Sequence, residues 1–148
     1  MKLDIFSHCA IDTICINDTN HIVPGGAACY CSLMAKILKF DVNLHTKFGP
    51  DFPLVDHLSK EKILIENALS EKPTTKFILK ILSSDRTLFL ENKCDAIDYT
   101  CLNSDNALIS PIFDEISIDT FEKIKKDANF VFLDPQGFLR RKDSENKI

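Results

Sequence analysis

Glycine is scarce in this sequence: only Gly25, Gly26, Gly49 and Gly137 occur in 148 residues. A dinucleotide-binding fingerprint needs three glycines within about six residues, and a P-loop needs two about five residues apart, followed by Lys and Ser or Thr. Neither arrangement is present, which excludes both common nucleotide-binding loops. Long apolar runs are missing too, since nothing approaches the ~18 consecutive apolar residues of a membrane-spanning helix. Asp4 interrupts the opening apolar stretch at once, unlike the core of a signal peptide. A cytoplasmic protein without a membrane partner is expected. No pair among Cys9, Cys15, Cys29, Cys31, Cys94 and Cys101 has C-x-x-C spacing. His8, His21, His45 and His57 fall in no metal-ligand spacing, so no metal site is expected. Without export, the cysteines read as small buried hydrophobes rather than disulfides. The net charge of −4 argues against a broad nucleic-acid footprint.

What is present is an alternation of strands and helices. With 45% hydrophobic and 27% charged residues the chain is globular. Residues 2–6 open a strand, and β-prone residues resume at Thr13–Ile16. Asn17–Asn20 is a turn signal, His21–Val23 a short strand, and Pro24-Gly25-Gly26 a break. Residues 27–38 carry one charge among good helix formers and predict a helix buried nearly all round. Val42–Thr46 is a strand, and Phe52–Leu58 starts a second helix. Lys76–Leu82 and Arg86–Leu90 flank the polar turn Ser83-Ser84-Asp85 and read as an antiparallel hairpin. Residues 91–106 are loop-like. Ala107–Ser110 is a strand, and a helix runs from Ile118 to about Lys126, its last turn basic. Phe130–Leu133 is a continuous apolar strand of the kind found inside a parallel sheet. The order is that of an α/β sheet with a β excursion in its middle. The polar tail from Leu139 onward has no evident place in it. The expectation is a fragment, or a domain completed by a partner.

Several residues are candidates for a site. Asp12 interrupts an apolar strand region; it is either a turn residue or a carboxylate at a strand end, where open α/β sheets gather ligands. Gly25-Gly26 leaves backbone N–H groups bare at the start of a helix. Asp51, after Gly49-Pro50, reads first as a helix cap. Asp134, in Asp134-Pro135-Gln136-Gly137, follows the best strand; it is either a functional residue at that strand end or part of a simple turn. Tyr30 reads as a core aromatic whose hydroxyl needs a partner.

In this order the pieces resemble the first half of the ribokinase-like carbohydrate kinases, the PfkB family, from Leu3 to about Arg140. Asp12 matches the family's sugar-binding aspartate. Gly25-Gly26, the helix that follows, Val42–Thr46 and Phe48-Gly49-Pro50-Asp51 are similar to its first signature. Pro73-Thr74-Thr75 and Asp85-Arg86-Thr87 resemble its β lid. Ser110-Pro111, Glu115 and Asp134-Pro135-Gln136-Gly137 resemble the strand ends leading into the second half. The resemblance implies a partial three-layer α/β sandwich with an inserted β-hairpin lid, the lid taken from about 13–23 and 74–91 of a single unit spanning 1–148. It implies an ATP- and Mg²⁺-dependent kinase for a hydroxyl of a sugar or nucleoside-like alcohol. Asp12, Gly25 and Gly26 would contact substrate, with Tyr30 in place of a customary asparagine; Asp51, Asp134 and Arg140 are assigned to structure or a secondary site. Lys39 stands where the family has glycine, Ser7 replaces another, and Ala10 an asparagine. The family's late Gly-Ala-Gly-Asp run, which supplies the catalytic base and anion hole beside the nucleotide, is missing. This chain is therefore expected to supply the acceptor side and lid, and to be inactive alone. A homodimer through the lid is among the implied assemblies. A non-catalytic sugar- or nucleoside-binding module, and an interaction domain whose sheet flank pairs with another chain, are the alternatives.

Overall fold

The computed structural model describes residues 1–17 and 19–148; Asp18, inside the expected Asn17–Asn20 turn, lies outside the described residues. Two sheets form the molecule. The larger is built from β1 (Lys2–Phe6), β4 (Asp41–His45), β5 (Leu64–Ile65), β8 (Asn106–Ile109) and β9 (Phe130–Leu133), in the order β5-β4-β1-β8-β9 and parallel throughout. The smaller contains β2 (Ala10–Ile16), β3 (Thr19–Gly25), β6 (Thr75–Leu82) and β7 (Asp85–Asn92), in the order β3-β2-β6-β7. Its central pair is parallel and its outer pairs are antiparallel. Pro24 does not break β3 as expected, because β3 is an edge strand on which a missing N–H is tolerated.

Alternation along the strands makes the larger sheet the middle of three layers. Ile5, Val42 and Leu44 point to one face, where they meet Ala28, Cys29 and Ala35 of α1 (Ala27–Ile37) and Leu58 of α2 (Val55–Lys60). Phe6, Ala107 and Ile109 point to the other, against Ile116 and against Ile124 of α3 (Ile118–Asp127). Leu58 and Ile124 are fully buried, each worth about 1.5–3 kcal/mol of apolar burial. Ser117 caps α3 by accepting from the Thr120 amide at 3.0 Å.

Three expectations need correction. α1 is not buried all round: Tyr30, Met34 and Ile37 are exposed on its outer face. It packs on the sheet by one side only, and an apolar residue count does not reveal what covers the other. β9 is not interior but an edge strand, with Phe130 57% and Phe132 60% exposed while Val131 packs inward. The tail does have a place. After α4 (Gln136–Leu139) it folds back onto the open edge of β7, where the Leu90 amide donates to the Asn146 carbonyl at 2.9 Å and the Ile148 amide to the Leu88 carbonyl at 2.8 Å. Cys101 likewise departs from the cysteine expectation, being exposed, whereas Cys9, Cys29 and Cys94 are buried; all six are free thiols. Lys39 takes the left-handed φ of 64° in the turn that ends α1, so the backbone that a glycine favours is kept without the glycine.

The chain crosses between the sheets at three places that buried polar groups bind together. His8 lies between β1 and β2, and its Nδ1 meets Thr75 Oγ1 at 2.9 Å and its Nε2 the Asp95 carbonyl at 2.7 Å. The Cys94 amide donates to Thr75 Oγ1 at 3.0 Å. A network in which Thr75 donates to Nδ1 and Nε2–H donates to the carbonyl satisfies every group with a neutral imidazole. Burial holds the His8 pKa below its ordinary value, consistent with that neutral form. Fully buried Glu115 accepts from the amides of His8 (3.1 Å), Ile112 (2.7 Å) and Phe113 (2.7 Å).

Candidate functional site

Between the two sheets lies an open cleft of about 790 Å³. The smaller sheet contributes Asp12, Ile14, Phe77, Leu79, Arg86 and Leu88; the larger sheet and its connections contribute Ser110, Ile112, Asp134, Gln136 and Arg140. Gly26, Ala27, Tyr30 and Cys31 enter from α1, and Ile148 from the tail. The cleft therefore sits beyond the carboxyl ends of β8 and β9, where parallel sheets hold ligands.

Asp12 is not at a strand end as expected. It is the third residue of β2, opposite Val23 on one side and Phe77 on the other. Its carboxylate lies against Gly25, so any Cβ at position 25 would collide with it. Its Oδ1 is buried and has no hydrogen-bond partner among the described residues. Burial pushes the Asp12 pKa up, while the charge of Arg140 pulls it back down. Gly26 adopts φ 85°, and a Cβ there would strike the His8 carbonyl oxygen. Gly26 opens α1 without a side-chain cap, and the Cys29 amide donates to the Gly26 carbonyl at 3.2 Å.

Tyr30 is a rim residue rather than a core aromatic. It is 62% exposed, and its hydroxyl donates to the Pro24 carbonyl at 3.1 Å. Asp134 lines the cleft, its Oδ2 accepting from Ser110 Oγ at 3.2 Å and its Oδ1 from the Gln136 amide at 3.1 Å; the expected turn continues into the short helix α4. Arg140 donates from Nη1 to the Ile112 carbonyl at 2.8 Å, with its guanidinium 6.0 Å from the Phe77 ring centroid. Asp51 belongs elsewhere and caps no helix, since α2 begins later with Leu54 at its N-cap. The Asp51 carboxylate instead accepts from Thr74 N (2.9 Å) and Thr74 Oγ1 (2.7 Å) and pairs with Lys76 Nζ (3.0 Å), which pins the base of β6. Burial opposes ionisation there, but these bonds and Lys76 outweigh it and hold the Asp51 pKa down to about 2.

The structure thus gathers Asp12, Gly25, Gly26, Tyr30, Asp134 and Arg140 around the cleft and leaves Asp51 outside. Sequence reasoning missed Phe77, Ser110 and Ile148 as lining residues, and it saw Arg86 only as part of the hairpin lid. No local signal marks them, because their convergence depends on how the two sheets meet. It also missed a second polar cluster on the opposite face. There the buried Asp4 accepts from His45 Nε2 (2.7 Å), Asn43 Nδ2 (2.7 Å) and the Asn103 amide (3.0 Å), and His45 stacks on Phe6 at 4.1 Å. Burial raises the Asp4 pKa, but the hydrogen bonds from His45 and Asn43 outweigh it and hold it below the ordinary value.

The described residues offer no glycine-rich loop for the phosphates of a nucleotide. Each glycine is packed closely: Gly25 on Asp12, Gly26 on the β1–β2 connection, Gly49 on Lys72–Thr74 and Gly137 on Pro111. None is left to form a phosphate loop. Among the described residues no three His, Cys, Asp or Glu side chains are grouped to hold a metal ion. No described helix is long and apolar enough to cross a membrane.

No protein-family model and no curated protein matches the sequence. Solved structures do match. A pyrophosphate-dependent kinase in the ribokinase family, solved as a sulfate complex, superposes with TM-score 0.83 at 18% identity, over 99% of this chain and 54% of that one. A pyrophosphate-dependent kinase in the ribokinase family in complex with a pyrophosphate analog and myo-inositol gives TM-score 0.82 at 18% identity, over 97% of this chain and 52% of that one. The nucleoside kinase of Methanocaldococcus jannaschii, an archaeal member of the ribokinase family, gives 0.73 at 19% identity, over 90% and 52%. The chain has the ribokinase-like fold and spans about half the length of these kinases.

Proposed function

We propose that this chain forms the acceptor side of a ribokinase-like kinase and binds a small hydroxyl-rich molecule in the cleft between its sheets. The observation that carries this is the buried, unpartnered Oδ1 of Asp12 at the cleft wall. A buried carboxylate oxygen without a donor is costly, and an alcohol hydroxyl is the natural group to satisfy it. Gly25 gives that carboxylate room, and Gly26 lets α1 start close against the β1–β2 connection at the cleft. The smaller sheet acts as a lid that covers the acceptor and excludes water. Tyr30 closes the rim. What these residues supply is orientation of a hydroxyl for in-line attack, not proton transfer or stabilisation of the transferred phosphoryl group. The described residues group no set that would hold ATP with Mg²⁺, so no transfer step is assigned to them. The similarity to kinases for myo-inositol and for nucleosides supports a neutral alcohol as acceptor.

Calorimetric titration of the 148-residue protein with myo-inositol, D-ribose and adenosine tests this. At least one should bind, and Asp12→Asn should weaken that binding about tenfold or more, while the protein alone phosphorylates none of them with ATP or pyrophosphate and Mg²⁺. Undiminished binding by D12N, or turnover by the 148-residue protein alone, would overturn the proposal.

A further inference from the structure

The smaller sheet is held in two ways that differ in strength. Its base is fixed by the buried polar crossing around His8, Thr75 and Glu115. Its long edge at β7, the last strand of that sheet, is held by the tail. The tail starts from the packing of the larger sheet. There the Asp114 amide donates to the Gly137 carbonyl at 3.0 Å, and Phe138 meets Phe121 of α3 with ring centroids 5.8 Å apart. Residues 141–147 are then exposed and turn back tightly. The Asp143 carboxylate accepts from the amides of Glu145 and Lys147, each at 2.9 Å. The Asp143 amide donates to the Lys147 carbonyl at 2.9 Å, and Asn146 takes the left-handed φ of 62° that asparagine tolerates. This turn delivers the Asn146 carbonyl to the Leu90 amide and the Ile148 amide to the Leu88 carbonyl, with Lys147 opposite Phe89 as a short antiparallel addition to β7. Ile148 packs on a cluster that joins Phe77 and Leu90 of the smaller sheet to Ile112 and Phe113 of the loop after β8, and it lines the cleft.

Two hydrogen bonds from an exposed segment and one partly buried isoleucine make a contact that opens locally while the core stays folded. The crossing has no such freedom, because its polar groups are buried and satisfied. The smaller sheet therefore has a firm hinge at its base and a releasable tie along its edge. We propose that residues 141–148 are a strap that controls how far the smaller sheet closes over the cleft, with Asp143 as the positioning residue that preforms it. Fastened, the strap sets β7 and Ile148 at the cleft wall; released, it frees the edge and opens the cleft to an entering alcohol. This rests on reading the smaller sheet as the lid of the acceptor site. Asp143 is not among the residues that line the cleft, so its influence on binding passes through the strap.

The test compares wild type, Asp143→Ala and Asp143→Asn as whole chains. Asparagine keeps an oxygen that can accept from the Glu145 and Lys147 amides, so D143N is the conservative rescue. Three quantities are followed: amide hydrogen exchange by NMR, the distance distribution between nitroxide labels at the exposed Leu82 and Ile118 by double electron–electron resonance, and binding of myo-inositol, D-ribose and adenosine by calorimetry. In D143A the Leu90 and Ile148 amides should exchange about tenfold faster, while Ile5 and Leu44 of the larger sheet exchange as in wild type. The label distribution should broaden in D143A, and whichever alcohol wild type binds should bind about three- to tenfold more weakly. D143N should restore all three. Unchanged exchange in D143A, faster exchange with an unchanged label distribution, or equal acceleration at Ile5 and Leu44 would overturn the strap while leaving the acceptor site standing. Undiminished alcohol binding by D143A would do the same. Wild-type protein that binds none of the three alcohols would overturn the acceptor site and the strap's control of it, whereas the exchange and distance measurements read the tie itself without any ligand.

Discussion

The crossing between the two sheets and the free edge at β9 are built on opposite principles. At the crossing, polar side chains are bonded and mostly buried: Glu115 accepts from three amides, His8 links Thr75 to the Asp95 carbonyl, and the partly exposed Asp51 ties Thr74 and Lys76. At the edge, apolar side chains are exposed: Phe130 and Phe132 on β9 face solvent, as do Tyr30, Met34 and Ile37 along α1. Buried polar groups cost free energy unless every one is satisfied, and satisfied ones accept only one geometry. The crossing therefore fixes how the smaller sheet is held over the larger, and with it the shape of the cleft. The edge fixes nothing in this chain, because an exposed phenylalanine gives up little on unfolding.

Substitutions should separate the two regions sharply. Glu115→Ala leaves three amides without an acceptor in the interior, and its expected cost is about 3–5 kcal/mol. Urea unfolding monitored by far-UV circular dichroism should show it as a large drop in midpoint, and a loss below about 1 kcal/mol would mean that water or backbone rearrangement replaces the carboxylate. Asp51→Asn should cost less, about 1 kcal/mol, since this carboxylate is a third exposed and solvent screens its pairing. Its effect depends on pH with a definite sign. The folded pKa lies near 2 against an ordinary 3.8, so the contribution is full above pH 3.8 and is lost as pH falls toward 2. Wild type and D51N should therefore differ in unfolding midpoint near neutrality and converge in acid; parallel curves down to the lowest pH would remove the electrostatic account. The smallest effect belongs to the edge. Phe130→Thr with Phe132→Thr should change stability by no more than about 0.5 kcal/mol, and a larger loss would show that these rings are buried in solution.

Much of the fold was legible in the sequence. The apolar opening marked β1, two β-rich runs around a polar turn marked β6 and β7, the basic last turn marked α3, and Gly25-Gly26 marked the entrance to α1. The fold of the ribokinase-like kinases followed from the order of these pieces. Within the cleft, Asp12 was legible because a charge inside an apolar strand is conspicuous. Arg86, Phe77 and Ile148 were not, and Arg140 was legible only as a structural or secondary residue, since nothing local to each says what it will face. The same blindness misjudged Tyr30 and the outer side of α1, and it took β9 for an interior strand on its apolar composition.

By itself, then, the sequence determined which segments become strands and helices, because side-chain periodicity and turn chemistry are local properties. It also determined that neither common glycine-rich nucleotide loop is formed, because Gly25, Gly26, Gly49 and Gly137 lack the required spacing. Only the tertiary structure decided that Asp12 and Arg140 share a cleft, that Glu115 reaches across to the amide of His8, and that the tail pairs with β7. Those are contacts between residues far apart in the chain, selected by how two sheets pack and not by any pattern within one of them.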